Sequence, residues 1–435
     1  MLCYKIQRRE IMIRSFRNQQ MIVLLLITLS MALPNTIFSK TPKASKQVKP
    51  QQTQPTQKTT QGGLRSDAQS AFLMDALSGQ VLFEQNANLK IPPASFGKIL
   101  TLYLAFDALR AGQLKMDDMV TVSERAWRIQ GSKMFIKVGE RVKVEELLKG
   151  IAISSGNDAC IALAEHLAGS EEVFVSKMNE KANLIGMKDS QFRNSHGMPA
   201  EGQYTTARDM ALLARSYIQT HPESLAFHST TEYEYNKIRQ YNRNTLLQKN
   251  IGVDGLKTGH VEEAGFHLLA TAKRDSQRMI AVVMGCDKIR KRAQEAQVLL
   301  EYGFKNFSTV EAVKKGASFG PVKVKRGKES KIALAAAEEG WVTVPKGKES
   351  QISITPELPN VITAPIQKNQ IIAKVLIQNE GKVLRQVNLL SPVEVEKSLL
   401  PPWPVTVAIG FGVLLILVIG FWWIRIRKPK ARPLR

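Results

Sequence analysis

A chain of 435 residues, 44% of them hydrophobic, has room for two or three domains with real cores. Its formal net charge of +23 points to a nucleic-acid partner until the charge is located: residues 1–63 carry +9 and residues 425–435 carry +6. Most of the excess therefore flanks hydrophobic segments, no basic run is interleaved with aromatics, and none of the six histidines sits in a metal-ligand spacing. Nucleic-acid binding and zinc hydrolysis are disfavoured on those grounds, and no metal or cofactor is expected.

In chain order, the basic residues Lys5, Arg8, Arg9, Arg14 and Arg17 precede the apolar run Met21–Leu33. That run is short for a membrane span and suits a signal-peptide core. Residues 1–39 read as a signal peptide or a retained N-terminal signal anchor, because no Ala-x-Ala marks a cut. Residues 40–64 are rich in Gln, Thr, Lys and Pro and read as a disordered linker. A folded domain is expected over 65–308. It opens with a hairpin, Ala71–Asp75 and Gln80–Glu84, and continues into an apolar helix from Ile99 to Ala111 with Gly112 as its stop. Helical periods follow over Val144–Ile153, Asp158–Leu167 and Val173–Ile185, and Thr206–Asp209 forms a capping signal before another helix. The pattern then turns to strands, Thr231–Tyr235, Gly255–Thr258, Gly265–Ala272 and Met279–Gly285, and closes on an amphipathic helix, Ile289–Phe304. Strands at both ends and helices between them predict an α/β sandwich with an inserted helical lobe. Cys160 and Cys286 lie in apolar company and read as buried free thiols, with a disulfide between them as the alternative that geometry decides.

Residues 309–397 alternate with period two, at Val322–Lys325, Trp341–Val344 and Ile352–Thr355, and predict a small β-rich domain. Residues 403–424 carry no charge. As a helix they reach about 33 Å, enough for a bilayer core. Trp403, Trp422 and Trp423 stand where interfacial aromatics belong, and the basic tail 425–435 follows. The positive-inside rule puts that tail in the cytoplasm and the chain between the two apolar segments outside the cytoplasmic membrane.

Three short motifs carry the chemistry. Ser95 and Lys98, in Pro92-Pro93-Ala94-Ser95-Phe96-Gly97-Lys98-Ile99, stand three residues apart at the mouth of the apolar helix and so share a face. A lysine buried there loses hydration, its pKa falls, and it can take a proton from the serine; the plain alternative is a serine that caps the helix. Ser154-Ser155-Gly156-Asn157-Asp158 falls between two predicted helices, where Ser155 and Asn157 either face a cleft or serve the loop. Asp254-Gly255-Leu256-Lys257-Thr258-Gly259-His260 lies on a predicted strand. Lys257 and Thr258 offer donors to a carboxylate, and Gly259 leaves room for a ligand backbone.

With separations of 60 residues from Ser95 to Ser155 and 102 from Ser155 to Lys257, the three motifs resemble the signature of penicillin-binding proteins and serine β-lactamases. The flanks, including Asn194-Ser195-His196-Gly197-Met198, resemble the D-alanyl-D-alanine carboxypeptidases over residues 66–308. The resemblance implies a β-lactamase/transpeptidase-like domain, an antiparallel sheet with a helical lobe, followed by a small all-β domain and a C-terminal transmembrane helix. It implies Ser95 as nucleophile, Lys98 as base and Ser155 as proton relay. Asn157, Lys257, Thr258, Gly259 and His260 would bind substrate, with the backbone N–H groups of Ser95 and His260 as oxyanion hole. Peptidoglycan stem peptides are the implied substrate and β-lactams the implied covalent inhibitors. Three features depart from the family pattern: Phe96-Gly97 between serine and lysine, Ser195 where proline is usual, and a full span where an amphipathic helix is typical. A class A-like β-lactamase (Glu180 and Asn183 match its Glu-x-x-Asn literally), a D,D-endopeptidase and an inactive wall-binding homologue are the competing readings.

Overall fold

The structure, a computed structural model, describes residues 63–398 and 403–426. The expected signal segment 1–39, nearly all of the expected linker and residues 427–435 of the basic tail lie outside the described residues.

Strands β1 (Ser70–Asp75) and β2 (Val81–Gln85) form the expected antiparallel hairpin. Asp75 Oδ1 accepts from the Ser78 N–H at 2.7 Å and fixes its turn. Helix α1 (Gly97–Arg110) follows, and its apolar run is buried on nearly every side. A short pair, β3 (Met119–Thr121) and β4 (Arg141–Lys143), brackets α2 (Glu124–Arg128). The helical period predicted over Val144–Ile153 is two things: α3 (Val144–Lys149) and a π-helical turn, Gly150–Ser154. Next come α4 (Asn157–Ala168), α5 (Glu171–Leu184), α6 (Ala207–Thr220) and α7 (Leu225–Ser229). Thr206 Oγ1 accepts from the Asp209 N–H at 3.1 Å, so the capping signal before α6 is real.

A second hairpin, β5 (Glu232–Tyr235) and β6 (Ile238–Tyr241), precedes three long strands, β7 (Val253–Val261), β8 (Gly265–Arg274) and β9 (Gln277–Cys286). Helix α8 (Ile289–Asn306) ends this part of the chain. One antiparallel sheet in the order β2-β1-β9-β8-β7 unites the two ends of the domain, with the helical lobe inserted between them. The strands next to its centre are buried on both faces, and so read as apolar runs. One face packs on α8 through Leu299, Leu300 and Phe304, the other on the core that includes α1 and α6. Strand β7, with Lys257–His260, is left as an edge.

The remainder is β: β10 (Phe307–Val313), β11 (Ser318–Lys325), β12 (Lys331–Ala336), β13 (Gly340–Pro345), β14 (Ile352–Glu357), β15 (Val361–Thr363), β16 (Ile371–Asn379) and β17 (Lys382–Leu390). Six of them form the sheet β14-β16-β17-β12-β11-β15, and β10 pairs with β13. Leu334, Val342, Val375, Val387 and Leu389 fill a separate core. The two cores meet at the first hairpin, where Thr309 Oγ1 donates to Asp75 Oδ2 at 2.7 Å and the hydroxyls of Ser78 and Thr343 share a 2.6 Å hydrogen bond. Helix α9 (Trp403–Ile426) runs two residues past the uncharged stretch, and from Val405 to Ile426 it is long and apolar enough to cross a membrane.

Candidate active site

Ser95 sits in a 3-10 turn, Ala94–Phe96, that feeds into α1. The N-cap position of α1 falls on Phe96 and no side chain caps it, so the Ser95 hydroxyl is not used as a cap. Its Oγ instead accepts from Lys98 Nζ at 3.1 Å and from Ser155 Oγ at 3.1 Å. Lys98 is fully buried, and its Nζ also donates to Asn157 Oδ1 at 2.7 Å and to the His196 carbonyl at 2.5 Å. Burial pulls its pKa down to about 8. A neutral amine has two N–H bonds and one lone pair, whereas a carbonyl and an amide oxygen can only accept. With both N–H bonds committed to Asn157 and His196, the lone pair of deprotonated Lys98 is turned toward Ser95 Oγ.

Asn157 was expected to hold substrate, and the structure gives it a prior task. Its Oδ1 receives Lys98, and its Nδ2 donates to Gln130 O at 2.7 Å, which fixes which way the amide faces. One Nδ2 hydrogen remains for a ligand. Ser155 is brought to Ser95 by an unusual backbone: the π turn ends on it in the left-handed region, with φ of +62°. Ala94, on the other side of Ser95, has φ of +47°. Left-handed backbone at two non-glycine residues costs energy and persists where the surroundings enforce it. Asp158 is buried, and its carboxylate accepts from the N–H groups of Met134 and Phe135 at 2.9 Å each, which ties that loop to the start of α4.

Strand β7 supplies the other wall. Lys257 and Thr258 are buried, and among the described residues the hydrogen-bond partner of Lys257 Nζ is the Thr258 carbonyl, at 3.2 Å. Burial, then Lys98 and Arg243, push the Lys257 pKa well down. Two arginines stand close: Arg243 Nη1 donates to Ser132 Oγ at 2.8 Å and Arg292 Nη1 to Gly259 O at 3.3 Å. Among the described residues, none of these three cations makes an ion pair with a carboxylate. Lys257 and Arg292 are buried and Arg243 is exposed beside them; positive charge gathered without a counter-ion favours an anionic ligand.

Gly259 has a packing reason beside the one expected. A Cβ there would lie 3.1 Å from the Ala94 Cβ, so its bareness lets β7 close on the residue before Ser95. The His260 ring is exposed and stacked on Phe266 at 4.1 Å, away from the Ser95 cluster. The part expected of His260 concerns only its backbone N–H. Glu180 and Asn183 lie exposed on α5, as a solvated helix face. Cys160 and Cys286 are buried free thiols. Among the described residues, no three His, Cys, Asp or Glu side chains gather to hold a metal ion.

The sequence reading missed Arg243, Arg292, Asp158 and the His196 carbonyl. Arg243 stands in a polar Asn-Arg-Asn run and Arg292 on an amphipathic helix, where each looks like any surface cation. A carbonyl has no sequence signal at all.

Residues 53–288 match the profile of the D-alanyl-D-alanine carboxypeptidase family, and residues 307–397 match that of the penicillin-binding protein 5 C-terminal domain. The D-alanyl-D-alanine carboxypeptidase DacC of Escherichia coli (strain K12) is 44% identical over 340 residues, 76% of this chain and 85% of the relative. Penicillin-binding protein 5 from Haemophilus influenzae superposes with a TM-score of 0.74 at 37% identity, covering 77% of this chain and 99% of that one. Penicillin-binding protein D2 from Listeria monocytogenes, solved in an ampicillin-bound form, is 30% identical with a TM-score of 0.52, covering 56% of this chain and 100% of that one.

Proposed function

The chain belongs to the D-alanyl-D-alanine carboxypeptidase family, and we propose that it removes the terminal D-alanine from peptidoglycan stem peptides through an acyl-enzyme on Ser95. The observation that carries this reading is the meeting of Ser95 Oγ with Lys98 Nζ and with Ser155 Oγ, each at the hydrogen-bond distance of 3.1 Å.

Neutral Lys98 takes the Ser95 proton as Oγ attacks the carbonyl carbon of the penultimate D-alanine. The charge that develops on the carbonyl oxygen falls to the backbone N–H groups of Ser95 and His260. The C–N bond then breaks, and Ser155 passes a proton to the amine of the departing D-alanine, restored from Lys98. The unpaired cations around Lys257, with the Thr258 hydroxyl, hold the substrate's terminal carboxylate, and Asn157 Nδ2 holds its amide. Water attacks the ester, Lys98 takes its proton, and as the acyl–Oγ bond breaks Lys98 returns that proton to Ser95 Oγ, which restores the hydroxyl and the neutral amine. A β-lactam presents the same carboxylate and a strained amide, so it acylates Ser95 and is released slowly.

Residues 65–308 are the catalytic domain in this reading. Residues 309–397 form a pedestal, and α9 is a single-pass anchor with the basic tail in the cytoplasm and Ser95 on the wall side. Mass spectrometry after exposure to penicillin tests the core of it. The expected result is one acyl adduct on the peptide containing Ser95, together with D-alanine release from a D-Ala-D-Ala tripeptide; an unmodified Ser95 peptide would refute it.

A further inference from the structure

Behind Lys98 lies a carboxylate that the proposed chemistry does not use. Glu171, at the start of α5, is 3% exposed. Its Oε1 accepts from the Ser195 N–H at 2.9 Å and from the Ser195 hydroxyl at 2.7 Å. Its Oε2 pairs with Arg125 Nη2, on α2, at 2.6 Å. From the other side, Thr101 Oγ1 on α1 donates to the Ser195 carbonyl at 2.6 Å. Ser195 is thus gripped at its N–H, hydroxyl and carbonyl, and the next carbonyl along, that of His196, receives Lys98 Nζ. The loop has no slack beyond that point: a Cβ on Gly197, whose φ is +86°, would lie 1.7 Å from the Ala94 carbonyl oxygen.

A buried carboxylate is tolerated only when its acceptor capacity is filled. Glu171 spends that capacity on Ser195 and Arg125. We propose that Glu171 is a positioning residue: by holding Ser195 against Thr101 it sets the His196 carbonyl, and the carbonyl aims the Lys98 lone pair at Ser95. This rests on the functional reading above. The His196 ring does not compete for the proton. Burial, then Lys98 and Arg125, push its pKa down to about 3, so its 3.6 Å approach to Glu171 is no ion pair. Its Nδ1 accepts from the Met198 N–H at 3.2 Å.

The test is kcat and KM for D-alanine release from a D-Ala-D-Ala tripeptide by the full chain, with Tm measured alongside. Glu171→Gln is expected to lower kcat by about tenfold to a hundredfold with KM within about twofold, the loss that follows from a misaimed base. Ser195→Ala, which keeps the N–H and loses the hydroxyl, is expected to lose about threefold, whereas Ser195→Thr, which keeps both, retains most of the rate. Glu171→Gln combined with Ser195→Ala should be little slower than Glu171→Gln alone, because both weaken the same Glu171–Ser195 contact. A folded Glu171→Gln protein with unchanged kcat, or one changed in KM alone, would overturn the proposal. Should Glu171→Gln not fold, the Ser195 pair decides: Ala slow and Thr normal supports it, and equal rates overturn it. A wild-type protein that neither releases D-alanine nor takes up penicillin would overturn the functional reading, and this inference with it.

Discussion

The two cores of this protein hide very different things. Around Ser95 the interior holds Lys98, Ser155, Asn157, Asp158, Glu171, His196 and Lys257, all buried. Within residues 309–397 the buried polar side chains are Thr343, Asn379 and Ser391, none of them ionisable, and the core is otherwise Val, Leu, Ile and Ala. Burying charge is costly unless the group is paired. The first domain accepts that cost at Lys98 and Lys257, the base and part of the anion site in the proposed reaction. The second domain, free of the cost, can be optimised for stability alone.

The sharpest way to break this contrast is Lys257→Ala. It should lower kcat/KM by about a hundredfold, from the lost charge-assisted contact to the substrate carboxylate. It should also leave Tm equal or higher, because burial disfavours the charged amine and its hydrogen bond among the described residues is one to the Thr258 carbonyl. A marked fall in Tm would show that Lys257 is structural. The pH dependence comes next. Lys98 acts as base only when neutral, and burial lowers its pKa to about 8. The acylation rate by penicillin should therefore rise with pH and level off above about 8, falling roughly tenfold for each unit below. A rate that falls as pH rises would contradict Lys98 as base. Stability follows the same sign. Between about 8 and the ordinary lysine value of 10.5 the unfolded chain binds the extra proton, so stability should rise with pH in that window. The smallest effect on activity belongs to the second core. Leu389→Ala, at a fully buried position, should cost about 2–5 kcal/mol of that domain's stability in a denaturant melt. Its kcat/KM should stay within twofold. A large loss of activity in the folded variant would mean the two cores are coupled through the Asp75–Thr309 contact.

The amino-acid sequence by itself determined the three motifs, the change of character near residue 309 and the apolar C-terminal helix, because each is a local pattern of side chains. It also determined that the first domain begins with strands, is mostly helical in its middle and returns to strands before a last helix. Tertiary structure alone decided the partners of Lys98 Nζ beyond Ser95. They stand 59 and 98 residues along the chain, and one of them is a backbone carbonyl. It likewise decided that Gly259 makes room for Ala94, that the expected helix ends in a π turn at Ser155, and that Glu171 reaches Ser195. The physical reason is common to all of these. A carbonyl oxygen is the same at every position, and a close contact is a relation between distant residues, so neither leaves a mark on the local run of letters from which the motifs were read.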